Sequence, residues 1–239
     1  GYRNELRARL DPTAGSLQLI LDEVRTAPRR VVFAEGEEEK VIRAAVEFQK
    51  AGYGIPILLG RESEVRKIMA EIGIDGSENI EIYNASEMEH REKYYSFLYE
   101  RLQREGYLFR DCARLVNRDR NIFASCMVAM GDADAVLTGV TRRFSVAFKE
   151  IQKVIDPKPN QRVIGVSVIV GRDRTVFMAD TTVTTLPTAE ELVSISKEAA
   201  EVARRLGHEP RVALLSYSNF GNLTCSSCRA CTLQTSPRS

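Results

Sequence analysis

The chain contains no tryptophan and only two histidines, His90 and His208, among 239 residues. Both histidines sit among polar residues and read as exposed, so a Ser-His-Asp triad lacks a credible base. Neither sign of charge is in excess. A formal net charge of +1 removes the electrostatic case for nucleic acid or an anionic membrane as partner. The basic pairs Arg29-Arg30, Arg142-Arg143 and Arg204-Arg205 are separated by acidic or apolar stretches, and most read as solvated faces. No apolar run approaches the length of a membrane span and the start carries no signal-peptide pattern, so the cytoplasm is the expected compartment. Neither G-x-x-x-x-G-K-[ST] nor G-x-G-x-x-G occurs, which leaves nucleoside triphosphate and classical dinucleotide sites without support. No internal repeat is visible.

Cysteine is sparse and divided. Cys112 and Cys126 lie in helical patterns and read as reduced core residues. Cys225, Cys228 and Cys231 form C-x2-C-x2-C in a Ser/Thr-rich tail. That spacing suits zinc or an iron–sulfur cluster, but a closed site needs a fourth ligand. The nearest histidine, His208, lies across an expected strand. No metal site is therefore assigned.

What is present is an alternating pattern. Val31, Val32 and Phe33 make a short strand buried on both faces. Gly36 punctuates its exit, and Glu37, Glu38 and Glu39 read as helix-start charges rather than general acids. Val41, Ala44, Ala45 and Phe48 fall on one helical face. Gly52 and Gly54 end that helix, and Ile55 to Leu59 supply the next strand, implying a right-handed parallel crossover. The pattern continues with a helix over 62–72, a strand over 80–83, a helix over 89–104, a mostly helical stretch over 110–130, a strand over 135–138 and a helix over 143–155.

Two prolines in Asp156-Pro157-Lys158-Pro159-Asn160 mark a boundary. Beyond it, Val163 to Val170 and Thr175 to Ala179 read as an antiparallel hairpin. Thr188 and Glu191 form a capping box for a helix whose buried face is Leu192, Ile195, Ala199, Val202, Ala203 and Leu206, ending at Gly207. Val212 to Leu215 reads as the last strand. The opening, Gly1 followed by a charged helix candidate Tyr2 to Leu10, a break at Asp11-Pro12 and a short helix over Ser16 to Val24, suits a fragment joined to something upstream. The organisation is thus linker helices over 1–28, an incomplete α/β subdomain over 29–155, a partial one over 156–221 and an atypical tail over 222–239.

Open α/β sheets bind ligands beyond the carboxyl ends of their strands, and three exits carry suitable groups. In the first, Ser216, Ser218 and Gly221 offer hydroxyls and amides to an acyl oxygen or a phosphate; the alternative is an ordinary turn. In the second, Asp180, Thr181 and Thr184 form a polar loop; the alternative is a hydrogen-bonded lead into the Thr188 cap. In the third, Arg142 and Arg143 follow a strand and a glycine, placed to clamp a pyrophosphate or phosphoadenosine group; the alternative is a solvated basic turn.

From about Arg29 to Gly221 the chain resembles the phosphate acetyl/butyryl-transferase family, on the motifs VVFAEGEEE, GDADAVLTGVT, PTAEEL and LLSYSNFG. Within it, the version fused to the C-terminus of bacterial malic enzymes is the nearer likeness. The resemblance implies a phosphotransacetylase-like (isocitrate/isopropylmalate dehydrogenase-like) α/β fold of two subdomains, here C-terminally truncated. Coenzyme A and acyl phosphate would meet in the cleft. In active transferases the chain then returns to the first domain with a catalytic arginine and aspartate. That part would fall after Gly221, where the tail offers Arg229 and Arg238 but no aspartate, so the tail reads as frameshifted or artificially joined. LSFSTKGS of the transferases is Leu215 to Asn222 here, without the lysine and final serine. Lys149 stands for their helix arginine, and Thr184 for the asparagine of DCAVNP.

These departures favour an acetyl-CoA-sensing regulatory domain with no catalytic residues or cofactor of its own. Its ligand is acetyl-CoA or coenzyme A, contacted through the strand-end residues named above together with Lys149. NADP and a divalent metal belong to an upstream malic enzyme catalytic domain, and a homo-oligomer is expected. The alternatives are a working phosphate acetyltransferase and a metal-binding module built on the cysteine tail. Truncation would also leave apolar surface uncovered and favour self-association.

Overall fold

A computed structural model describes residues 21–22, 24–74, 80–84, 91–159, 161–170 and 175–215. They fall into two compact units, one running from Leu21 to Asp156 and the other holding the described residues from Pro157 onward. The helix candidate at Tyr2 to Leu10, the 171–174 turn and the cysteine tail lie outside the described residues, whereas 21–22 and 24–26 are helical.

The Leu21–Asp156 unit alternates strands and helices: β1 (Arg29–Phe33), α1 (Glu39–Lys50), β2 (Gly54–Leu59), α2 (Glu62–Glu71), β3 (Glu81–Tyr83), α3 (Glu92–Leu102), a short 3-10 turn (Gln103–Glu105), α4 (Phe109–Arg118), α5 (Arg120–Ala129), β4 (Ala135–Leu137) and α6 (Phe144–Gln152). The strands form one parallel sheet in the order β3-β2-β1-β4. Val32 lies beside Ile57 on one side and Val136 on the other. Side chains alternate between faces of a strand. Val32, Ala34, Ile57 and Leu59 accordingly join Tyr94, Leu98, Phe123 and Met127 under α3, α4 and α5. Phe33 and Leu58 join Ile42, Val46 and Val65 under α1 and α2. Both faces are covered, which is why these strands read as continuous apolar runs. Cys112 and Cys126 are free and buried in this core.

Two details differ from the sequence reading. The helical stretch over 110–130 is broken at Asp119, whose backbone (φ −110°, ψ 111°) leaves the helix while its carboxylate accepts from the amides of Asn121 and Ile122. An aspartate competes with helix continuation by capping the next helix. Glu37 lies outside α1, whose N-cap is Glu38.

In the second unit, β5 (Val166–Val170) pairs antiparallel with β6 (Thr175–Ala179). Helix α7 (Ala189–Arg205) starts at a complete Thr188/Glu191 capping box and buries Ile195, Ala200 and Ala203. Gly207, at φ +79°, ends it. The expected strand at Val212 to Leu215 does not form: residues 211–215 join no ladder, and Leu215 is 85 % exposed. An apolar β-branched run becomes a strand only where a neighbour supplies ladder partners, and none does so among the described residues. His208 is half-buried rather than exposed, its ring edge-on to Phe177 at 5.5 Å.

Candidate functional site

Beyond the carboxyl ends of β1, β2 and β4 the core gives way to a tight polar network. β1 runs into Glu35, which is only 6 % exposed. Its carboxylate accepts from the backbone amides of Gly139 (3.1 Å), Val140 (2.7 Å) and Thr141 (2.8 Å), and from the Thr141 hydroxyl. Burial pushes this carboxyl up, but the Thr141 hydroxyl and the three amides outweigh it, and it titrates below its ordinary range. Gly36 follows, its amide donating to Leu59 O at 3.0 Å. A Cβ there would come within 2.8 Å of the Leu59 backbone, so the chain can pass only as glycine.

Glu37 ties three elements together. It accepts from the Arg61 amide (2.9 Å), Arg61 Nε (3.2 Å) and Arg120 Nη2 (2.6 Å). Burial raises this carboxyl, yet the Arg61 amide and the two guanidiniums hold it at about 2. Glu37 is thus a bridging carboxylate and not the helix-start charge expected from sequence. The third knot surrounds Arg142, whose Nη1 donates to Asp119 Oδ2 at 2.7 Å and to Glu150 Oε1. Asn121, 2 % exposed, donates to Glu150 Oε2 and accepts from the Thr138 hydroxyl, both at 2.6 Å. Burial and the neighbouring Asp119 carboxylate push Glu150 upward.

This network changes the standing of the candidate cations. Arg142 is committed to two carboxylates and is not a free phosphate clamp. Arg143, the residue at the N-cap of α6, and Lys149, near that helix's end, are exposed. Neither makes an ion pair among the described residues. Glu35, Asp119, Asn121 and Glu150 escaped the sequence reading. The signal for Glu35 was an acid placed directly after a fully apolar strand. For Asp119 it was an aspartate ahead of a second helical run.

The Asp180 loop of the second unit is built the same way. Asp180 accepts from the amides of Gly165 (2.9 Å), Thr182 (3.1 Å), Val183 (3.2 Å) and Thr184 (2.7 Å). Burial raises its carboxyl and these four donors outweigh it, so it titrates low. The Thr181 amide and hydroxyl both reach Gly165 O. Thr184 is half-buried and Thr181 exposed. The hydrogen-bonded-loop alternative describes this segment: its amides serve its own aspartate. Within the same unit a cavity of about 660 Å³ is lined mainly by apolar side chains, including Phe177, Leu192, Ile195 and Leu214. Ser216, Ser218 and Gly221 lie outside the described residues. Among the described residues no cluster of histidine, cysteine and carboxylate groups suits a metal, and no helix is long and apolar enough to cross a membrane.

The arrangement is that of a parallel α/β domain whose strand ends are tied together by a carboxylate–arginine network, with Arg143 and Lys149 exposed beside it. The family model for phosphate acetyl/butaryl transferase matches residues 16–232, and the chain belongs to that family. It is 51% identical over 222 residues to an NADP-dependent malic enzyme of Rhizobium meliloti, covering 92% of this chain and 29% of that protein. An NADP-dependent malic enzyme of Escherichia coli is 33% identical over 211 residues, 87% of this chain and 28% of the relative. A phosphate acetyltransferase of Staphylococcus aureus is 28% identical over 210 residues, 87% of this chain and 63% of the relative. The chain thus spans under a third of the length of these malic enzymes.

Two solved phosphotransacetylases share the fold at 24% identity. The EutD protein of Staphylococcus aureus superposes with a TM-score of 0.77, over 92% of this chain and 68% of its own. The Streptococcus pyogenes protein gives 0.79, over 92% and 69%. The expected phosphotransacetylase-like fold is therefore the observed one.

Proposed function

We propose that this chain is an acetyl-CoA-sensing regulatory domain of an NADP-dependent malic enzyme, an oligomeric cytoplasmic enzyme that decarboxylates malate oxidatively to pyruvate. The carrying observation is the gap between 51% identity to a malic enzyme and 28% to a phosphate acetyltransferase. Arg143 and Lys149 would receive phosphate groups of the coenzyme. NADP and a divalent metal would be held by the catalytic part of the parent enzyme. Allosteric control then requires acetyl-CoA to bind two states of the whole enzyme unequally.

Calorimetric titration of the chain with acetyl-CoA, against coenzyme A as control, tests this reading. Saturable binding that discriminates the acetyl group is expected. A folded chain that binds neither ligand overturns it. So does formation of acetyl-CoA from acetyl phosphate and coenzyme A, which would favour the second reading, a phosphate acetyltransferase. The 63% span of the Staphylococcus aureus transferase is the observation on that side.

A further inference from the structure

The turn from Thr138 to Arg143 leaves β4 and enters α6. Its own sequence does little to define its shape. Gly139 sits at φ +113°, where glycine is unconstrained, and no side chain caps α6 at Arg143. The constraint comes from elsewhere in the fold. Glu35, 104 positions earlier, receives Gly139, and the same carboxylate receives the amides of Val140 and Thr141. Three consecutive amides converging on one buried carboxylate leave the peptide planes between them no freedom to rotate. The neighbouring residues are pinned as well, Thr138 through its hydroxyl on Asn121 and Arg142 through Asp119 and Glu150. Each residue from Thr138 to Arg142 is therefore held through its backbone amide or its side chain, and Arg143 carries the first charged side chain of the turn with no ion pair among the described residues.

We infer that Glu35 is the positioning residue of this turn, and that the pinned turn presents Arg143, not Arg142, to a phosphate group of the ligand. The inference rests on the reading of this strand end as part of a coenzyme A site and deepens it by assigning separate tasks to adjacent arginines. Arg142 supports the turn. Arg143 meets the ligand as a charge-assisted donor. Glu35 never touches the ligand. Its carboxylate titrates low in the folded chain, so the turn stays pinned through neutral pH.

A double-mutant cycle on the complete 239-residue chain tests this. Acetyl-CoA affinity is measured for the unaltered chain, Glu35→Gln, Arg143→Ala and the pair, with Asp132→Asn as control. Asp132 is a comparably engaged carboxylate, held by Lys93 and Tyr94 ahead of β4. Glutamine keeps one acceptor and turns an NH2 group towards the amides, so Glu35→Gln should weaken binding about tenfold, a factor typical of one charge-assisted contact. In the Arg143→Ala background the same change should cost less than about twofold. Amide exchange at Gly139, Val140 and Thr141 should quicken in Glu35→Gln and remain unchanged in Asp132→Asn. If Glu35→Gln does not fold, Glu35→Asp, which keeps the charge but not the reach, enters the same cycle.

Full additivity of the two losses overturns the inference, because a merely structural role weakens binding whether or not Arg143 is present. Unchanged exchange at the three amides overturns the positioning role by itself. If the unaltered chain binds no acetyl-CoA, the ligand assignment falls together with the function on which it rests, and the exchange data still decide whether Glu35 holds the turn.

Discussion

Replacing Glu37 by glutamine removes the carboxylate that joins Arg61, at the exit of β2, to Arg120, at the start of α5. In the folded chain this carboxyl is held at about 2, against an ordinary value of 4.5. Each unit of such a difference corresponds to about 1.36 kcal/mol, so the full shift sets a ceiling of roughly 3 kcal/mol. Glu37 itself is largely enclosed, its side chain 16% exposed, but its partners are 64% and 40% exposed. Solvent screens both guanidiniums, and the expected loss at pH 7 is about 1–2 kcal/mol. The pH dependence carries a definite sign. A depressed carboxyl contributes stability that is complete above its unfolded value of about 4.5. That stability is lost as pH falls towards about 2. The gap between the unaltered chain and Glu37→Gln should therefore be widest at pH 7 and should close on acidification. Urea denaturation followed by tyrosine near-ultraviolet circular dichroism is a suitable assay, because Tyr53, Tyr83, Tyr94, Tyr95, Tyr99 and Tyr107 all lie in the Leu21–Asp156 unit. A gap that stays constant between pH 7 and acid, or no gap at pH 7, would refute the argument that Glu37 is held by its cations.

Two further outcomes are expected. Thr188→Ala removes the hydroxyl that accepts from the Glu191 amide at the start of α7. It should cost about 1 kcal/mol, read as a lower melting temperature in far-ultraviolet circular dichroism; an unchanged melt would mean that the cap contributes nothing. In a chain carrying serine at 225, 228 and 231, the remaining thiols should resist Ellman's reagent at pH 8 until denaturant is added. Burial pushes Cys126 up to about 12 and raises Cys112, and rapid reaction of the native protein would contradict that enclosure.

The family resemblance and the strand-helix-strand opening were legible because their signals are local. Val31 to Phe33 needed only a run of apolar residues, and α1 only a face repeating every three to four positions. The Thr188/Glu191 cap needed two residues three apart, and β5 and β6 two apolar runs on either side of a polar turn. The break at Asp119 was half legible. A capping residue stood in plain view, but the flanking apolar spacing was continuous, and periodicity over a window does not register a single departure in φ and ψ. Val212 to Leu215 failed for the opposite reason. The composition suits a strand, but a strand exists only by pairing, and composition says nothing of a partner.

By itself, then, the sequence determined the alternation of elements, the two-sided burial of the sheet and the membership of the family, all of which depend on residues close together in the chain or on recognisable motifs. Tertiary structure alone decided the chemistry of the strand ends. Arg142 and Arg143 are adjacent, identical as residue types and both exposed, yet one is paired with Asp119 and Glu150 and the other makes no ion pair among the described residues. Glu35 and Glu37 belong to one acidic stretch, yet the first gathers the amides of a turn 104 positions away and the second bridges two arginines. A charged side chain is defined by what stands within about 3 Å of it, and folding brings those neighbours from parts of the chain that no local pattern links.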